Sequence, residues 1–406
     1  NFAALDQGYF PDGLYTPASY DAMRHDLVKL KELGFNAVRK FVKIEPAIWY
    51  HIADSLGLLV WQDIPAAHVG TAIAELNTEA ARKANFLRET AAMTKSIRNF
   101  PSVVAWIGFN DGWGRYNMSH VENTVKLFRN LNDGRLVLPE SGDDNYELGD
   151  VVSRHGLPLP QLHANPYNER ASICGVTGNY NYAINGHLWN TSSSSDIKDD
   201  ATYASRLSEF ANAAKNLTLS GIAGLAMVQI TDVENEINGL MTYDRKVYKA
   251  GLKADSVLKN TTAFMKSKIT APVLKTSGQG GELWKYVSGV KNEVVVAAGW
   301  NTNMNFDETG WNEGRSAFGG NMGVSFPWNT SWKGDNIELY ARKKVNIPVL
   351  EEGDKLNFRL FYDEDYEFYI NGVLAHTNTG WSTNYVTIDI YPEAKAAINY
   401  GGENQI

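Results

Sequence analysis

Six short runs in this sequence gather side chains that can move protons, form directed hydrogen bonds or attack an electrophile. They are Arg39-Lys40-Phe41, Trp61-Gln62-Asp63, Phe109-Asn110-Asp111, the LHANP run around His163, the CGVTGN run from Cys174, and QITDVE from Gln229 to Glu234. Most end or follow an apolar, β-branched stretch, which places them at the carboxyl ends of expected strands. Carboxylates there are the usual agents of acid/base work. Cys174 offers a thiolate nucleophile if its strand face points inward; the competing reading is a buried core thiol, because free cysteine is among the most buried residue types. His163 has no His or carboxylate at ligand spacing, so no metal site is expected there. Asp363, Glu364 and Asp365 are adjacent oxygens rather than converging ones, so a solvated turn is expected in preference to a calcium site. No cofactor is expected.

The elements that must position these residues alternate. Residues 18–33 carry apolar positions at helical spacing and stop at Gly34, and the strand NAVRKFV follows. The helix EPAIWYHIADSL, Gly57 and the strand LLVWQDIP repeat the unit; a helix over 78–99 precedes SVVAWIGFND, HVENTVKLFRNLN precedes RLVLPES, and GIAGLAMVQI closes the series. Strands preceded by helices at this period predict an α/β fold with a parallel sheet closed into a (β/α)8 TIM barrel, whose chemistry sits at the carboxyl ends of the strands. Residues 256–282 lose helical period and become rich in Lys, Thr and Gly, a boundary. Beyond it EVVVAAGW, NIELYARKKVNIP, KLNFRLFYDEDYEFYINGVL and YVTIDIYPE alternate apolar and polar, predicting an all-β antiparallel sandwich with a hairpin at Asn371-Gly372. The predicted domains are residues 1–268 and 269–406.

Composition narrows the partners. The 406 residues suit two to three domains; 38 Lys+Arg against 46 Asp+Glu give a net charge of −8 with no basic block, which argues against nucleic acid. No apolar stretch approaches bilayer-spanning length, so no membrane insertion is expected. Aromatics make up 12%, with 11 Trp and 20 Tyr, a hint of carbohydrate, whose rings stack on exposed aromatic faces. The single cysteine excludes an internal disulfide, while five N-x-S/T sites, at Asn117, Asn190, Asn216, Asn260 and Asn329, predict a secreted glycoprotein. The amino terminus, NFAALDQGYF, has no signal-peptide pattern, so any signal lies upstream or has been removed.

At LDQGYFPDGLYT, LGFNAVRKFVKIEP, LGLLVWQDIP, RNFPSVVAWIGFNDGWG and TDVENEINGLMTYDRKVYK the chain resembles the catalytic barrel of glycoside hydrolase family 2, in order across residues 4–255. FYDEDYEFYINGVLAHTNTGW, with NFDETGWNEGRSAFG, is similar to the galactose-binding-like jelly rolls that accompany such barrels. The resemblance implies, for active members, retaining hydrolysis of a terminal β-linked sugar by two carboxyls about 5–5.5 Å apart.

The sequence departs from that pattern where it matters. The acid/base position, a Glu after Asn in the family, is Asp111 after Asn110, and the nucleophile position is Val176, which cannot attack an anomeric carbon. Positions the family often gives to His are Phe41 and Phe100. Trp61, Gln62, Asp63, Trp113, His163, Trp189 and Gln229 match pocket-rim positions, with Trp113 and Trp189 the better stacking candidates; Asp232 and Glu234 match positions near the pocket. The expectation is an inactive glycosidase-like barrel kept for glycan binding or as a subunit of an extracellular assembly; the alternative is an active exo-β-glycosidase pairing Asp111 with Asp232 or Glu234. The first barrel strand and the last sandwich strands read as incomplete, which would leave open ladders able to recruit copies of the same chain into a homopolymer filament.

Overall fold

The structure is a computed structural model and describes residues 1–66, 78–142, 144, 146, 148–162, 170–195, 197–249, 251–267 (252–255 and 267 by backbone alone), 273–275, 277, 280–320, 328–332, 336–352, 354–382 and 386–406. The chain divides into two compact units, Asn1–Ile269 and Thr270–Ile406.

Eight parallel strands build the first unit: β1 (Phe2–Asp6), β2 (Ala37–Lys40), β3 (Leu59–Asp63), β4 (Val103–Asn110), β5 (Leu136–Ser141), β6 (Val151–Gly156), β7 (Ala171–Gly178) and β8 (Gly224–Val228). Their order, β5-β4-β3-β2-β1-β8-β7-β6, is that of a TIM barrel. β1 is laddered on both sides, Ala3 to Ala37 of β2 and to Ala226 of β8. The unladdered seam lies between β5 and β6, where the Asp150 N–H still bonds Val137 O at 2.8 Å.

Helices α1 (Tyr20–Glu32), α2 (Ala47–Leu56), α3 (Glu79–Ile97) and α4 (Met118–Asn130) each join consecutive strands, and α5 (Asp200–Leu219) and α6 (Gly251–Ser267) flank β8. Their starts follow from the sequence: Ser19, Thr78, Asn117 and Asp199 each accept a first-turn backbone N–H. α2 stops at Gly57, whose φ of 62° is the left-handed cap that glycine adopts without cost. Among the described residues no helix joins β5 to β6 or β6 to β7.

Strand alternation sorts the core into two layers. Ala3, Ala37, Trp61, Ile107, Leu138 and Ile173 fill the barrel interior, while Phe2, Val38, Val60, Trp106 and Cys174 pack outward against the helices. Trp61 crosses the interior far enough that a Cβ on Gly224 would lie 2.6 Å from its ring.

Behind β4, His120 of α4 is 1% exposed among the rings of Phe86 (5.0 Å), Phe109 (5.1 Å) and Tyr116 (5.6 Å), and neither ring nitrogen has a hydrogen-bond partner. Burial, with Lys83 adding to it and Glu79 opposing, pulls its pKa down to about 4. The unfolded chain therefore binds the proton first, and stability should fall by about 3 kcal/mol as pH drops from ~6.5 to ~4. Denaturation midpoints across that window, compared with His120→Phe, check this: the substituted protein should lose that part of the slope.

The second unit holds separate small sheets. β9 (Leu283–Val290) lies between β10 (Asn312–Arg315) and β13 (Ile337–Arg342), antiparallel to both; β11 (Phe318–Gly319) and β12 (Thr330–Ser331) form a short parallel pair. Antiparallel pairs join β14 (Lys344–Ile347) to β19 (Gly402–Gln405), β15 (Phe358–Leu360) to β18 (Val386–Ile388), and β16 (Tyr366–Ile370) to β17 (Val373–Asn378). Asn371 and Gly372 have φ of 49° and 81°, as a two-residue hairpin requires. EVVVAAGW, expected as a strand, is turn and irregular backbone; Val295 is 92% exposed, so its apolar run has no face to cover. Asp365 Oδ1 accepts the Gly380 N–H at 2.7 Å, a turn contact, and no metal-holding cluster occurs among the described residues.

Candidate functional site: the polar mouth of the barrel

Inward positions at the carboxyl ends of β2 to β7 converge on one guanidinium. Arg39 is fully buried, and all five of its N–H donors are used: Nε to Asp63 Oδ2 (2.8 Å), Nη2 to Asp63 Oδ1 (2.6 Å) and Asn110 Oδ1 (2.9 Å), and Nη1 to Ser141 Oγ and Gly175 O (2.8 Å each). Arginine suits this place because its planar fork meets a carboxylate with two parallel bonds. Burial pushes the Asp63 carboxyl up, and Arg39 is what opposes it.

The network continues to the surface. Ser141 Oγ lies 3.0 Å from His155 Nε2, and His155 Nδ1 lies 3.1 Å from Asp111 Oδ1. Asn110 Nδ2 donates to Asp111 Oδ2 at 3.1 Å. Partial burial pushes the Asp111 carboxyl up, but the His155 bond and charge, helped by Arg39 and Asn110, outweigh this and hold it below the usual carboxylate range. Asp111 has φ of 47°, in the left-handed region. The turn is pinned by the Asp111 N–H to Ser141 O (3.0 Å) and the Gly112 N–H to Glu140 Oε1 (2.7 Å). Burial raises the pKa of Glu140, with Arg115 opposing.

Beside Arg39 the floor is closed. A Cβ at Gly175 would lie 2.3 Å from Ser141 Oγ, 2.5 Å from Ser153 Oγ and 3.2 Å from Arg39 Nη1, so no larger side chain fits there without displacing the network. Val176 pairs with His155 across the β6–β7 ladder, which is irregular between Arg154 and His155.

The remaining predicted residues scatter. Trp61 belongs to the barrel interior, and Gln62 is fully buried, accepting from Tyr50 Oη (2.6 Å) and donating to Lys43 O (2.8 Å); both are packing residues, which corrects their placement at the rim. Cys174 points outward into the sheet–helix core, where burial raises its pKa, so it is the inert thiol and not a nucleophile at the mouth. Phe100 precedes β4 at the opposite end of the barrel and stacks on Tyr50 at 5.4 Å, so it replaces no mouth residue. Phe41 does stand beside the hub: Arg39 lies 5.5 Å from its ring centre, and Trp113 meets it edge-on at 6.0 Å.

After β8, Gln229 is buried and donates to Asn238 and Glu236. Asp232 is buried against Lys249 (2.6 Å), and burial pushes its pKa up to about 6 despite that partner. Glu234 is exposed and accepts from Tyr9 Oη at 2.6 Å. Trp189, 41% exposed, packs edge-on between Tyr9 (6.0 Å) and Tyr243 (5.6 Å). His163 lies outside the described residues. All five sequon asparagines, Asn117, Asn190, Asn216, Asn260 and Asn329, are exposed.

Sequence reasoning missed His155, Ser141 and Glu140 as mouth residues. The available signal is VVSRHG, a β-branched start with alternation running into a Gly-Leu-Pro turn, which is β6; the LHANP run, expected at a strand end, follows it.

This geometry defines a TIM-barrel protein with a hydrogen-bonded polar mouth at the carboxyl ends of its strands. Residues 17–157 match the family model described as glycosyl hydrolases family 2, TIM barrel domain. A β-galactosidase of Priestia megaterium is 26% identical over 141 residues, 32% of this chain and 13% of that protein; one of Psychromonas ingrahamii is 28% identical over 136 residues, 33% and 13%. The solved structure of a GH2 β-galacturonidase from Eisenbergiella tayi bound to galacturonate superposes with a TM-score of 0.51 at 18% identity, covering 64% of this chain and 50% of that one. The chain thus matches 13% of the length of those curated relatives and half of that solved chain. Its first unit is a glycoside hydrolase family 2-like TIM barrel, followed by β-sheet structure.

Proposed function

We propose that this barrel binds carbohydrate and does not hydrolyse it. The observation that carries the reading is the β7 floor beside Arg39, Ser141 and Ser153. There the inward residue is Gly175, with no room for a side chain, and its neighbour is Val176, so a retaining mechanism has no nucleophile. The acid/base position weighs the same way, since a carboxyl held below its usual range is ionised at neutral pH and has no proton to give a leaving group. The replacements that an active enzyme would need are engaged elsewhere: Asp232 is buried on Lys249, and Glu234 is bonded to Tyr9.

Glycan binding is favoured over filament assembly through an open first strand, because β1 is paired on both sides. Export as a glycoprotein is supported by the exposure of the five sequon asparagines.

Aryl β-galactosides, β-glucosides, β-mannosides and β-glucuronides should show no turnover above the uncatalysed rate. Turnover on any of them that Asp111→Ala abolishes would overturn the reading.

A further inference from the structure

Asp111 is built into the mouth differently from a surface acid. Arg39 donates to Ser141 Oγ, which lies 3.0 Å from His155 Nε2, and the other ring nitrogen, Nδ1, faces Asp111 Oδ1 at 3.1 Å. The chain of bonds draws on β2, β5 and β6 to aim one carboxylate of the turn after β4, whose side chain remains 52% exposed.

Among the described residues, the cations at and after the ends of β2 and β4 are already taken. Arg39 has no donor left, Lys40 is held between Asp6 and Glu45, and Lys43 donates to Gly8 O and Tyr15 O while pairing with Glu45. Arg115 faces two carboxylates, Asp144 at 2.8 Å and Glu140 at 3.5 Å. Glu234, across the strand ends, has a neutral partner in Tyr9.

We propose that the Arg39–Ser141–His155 relay makes Asp111 a fixed anionic anchor, and that the mouth selects sugars by charge. It takes an amine-bearing pyranose ahead of a neutral one and refuses a uronate. The inference rests on the carbohydrate-binding reading above and adds the substrate class. Its basis is elementary: an aimed carboxylate gains most from an ammonium donor, less from a hydroxyl, and repels a second carboxylate that finds no unoccupied cation. His155 is then a positioning residue, acting through Asp111.

The test is calorimetric or NMR titration of the intact protein with galactosamine, galactose and galacturonate at pH 7 and low salt. The expected affinities fall in that order, with about tenfold or more between the first and the last. Asp111→Asn, isosteric and half-exposed, should compress the spread to about threefold. His155→Ala should keep the order but move the acid midpoint of galactosamine binding upward, toward ~4 for an ordinary Asp. Besides His155, the charged groups that act on Asp111 are Arg39 and Glu140, and Glu140 in turn faces Arg115 and Asp144; all are unchanged in that variant. A purely packing role for His155 would lower affinity without moving the midpoint, and would overturn the relay. Galacturonate binding as tightly as galactosamine, or Asp111→Asn leaving the spread intact, would overturn charge selection alone. Binding of none of the three sugars would overturn both this proposal and the carbohydrate reading.

Discussion

Arg39→Met is expected to destabilise the protein by about 3–5 kcal/mol, the cost of stranding one member of a buried ion pair. The substitution keeps the apolar stem but removes the guanidinium plane, so a small cavity adds to the electrostatic loss. It would leave Asp63 without its counter-charge in a site where burial already raises its pKa, and it would leave Asn110 Oδ1, Ser141 Oγ and Gly175 O short of a donor. Arg39→Lys should recover little, since three donors on a flexible stem cannot reproduce a bidentate contact and three further bonds. Urea midpoints of the three proteins decide it. A loss for Arg39→Met within about 1 kcal/mol, the ordinary range for a point substitution, would mean that the hub does not hold the mouth together.

The order of elements was readable because most barrel helices bury a recognisable stripe and most strands are β-branched runs. SVVAWIGFND and LLVWQDIP locate β4 and β3, and with them Asn110, Asp111 and Asp63. What escaped was the inward or outward sense of each side chain near the strand ends: strands buried on both faces do not say by alternation alone which face looks inward, and β4 and β7 each carry an extra residue, at Val104 and within Gly175–Val176, that interrupts it. Trp61 and Gln62 of β3, and Cys174 before the β7 irregularity, alternate regularly, but apolar neighbours on both faces hide which of them points inward. β6 was missed for another reason: its second half is polar, with Ser153 and His155 lining the mouth, so the residues that matter most weaken the strand signal. EVVVAAGW shows the converse error, a β-prone composition that joins none of the sheets among the described residues.

The absence of a nucleophile at the mouth has a consequence sharper than low turnover. A retaining glycosidase that attacks an activated 2-deoxy-2-fluoro-β-glycoside forms a glycosyl ester on its carboxylate; the fluorine destabilises the oxocarbenium-like transition state of the second step, so the ester accumulates. Val176 offers no oxygen for that bond, and Gly175 sits where any added side chain would strike Ser141 and Ser153. Asp111 is bonded through both oxygens, to His155 and Asn110. Intact-mass measurement after prolonged incubation with activated 2-deoxy-2-fluoro-β-galactoside and its glucuronide counterpart is therefore the most direct test. The account predicts an unshifted mass at saturating reagent; a stoichiometric gain of one fluoroglycosyl group, mapped to any carboxylate of the mouth, would contradict it.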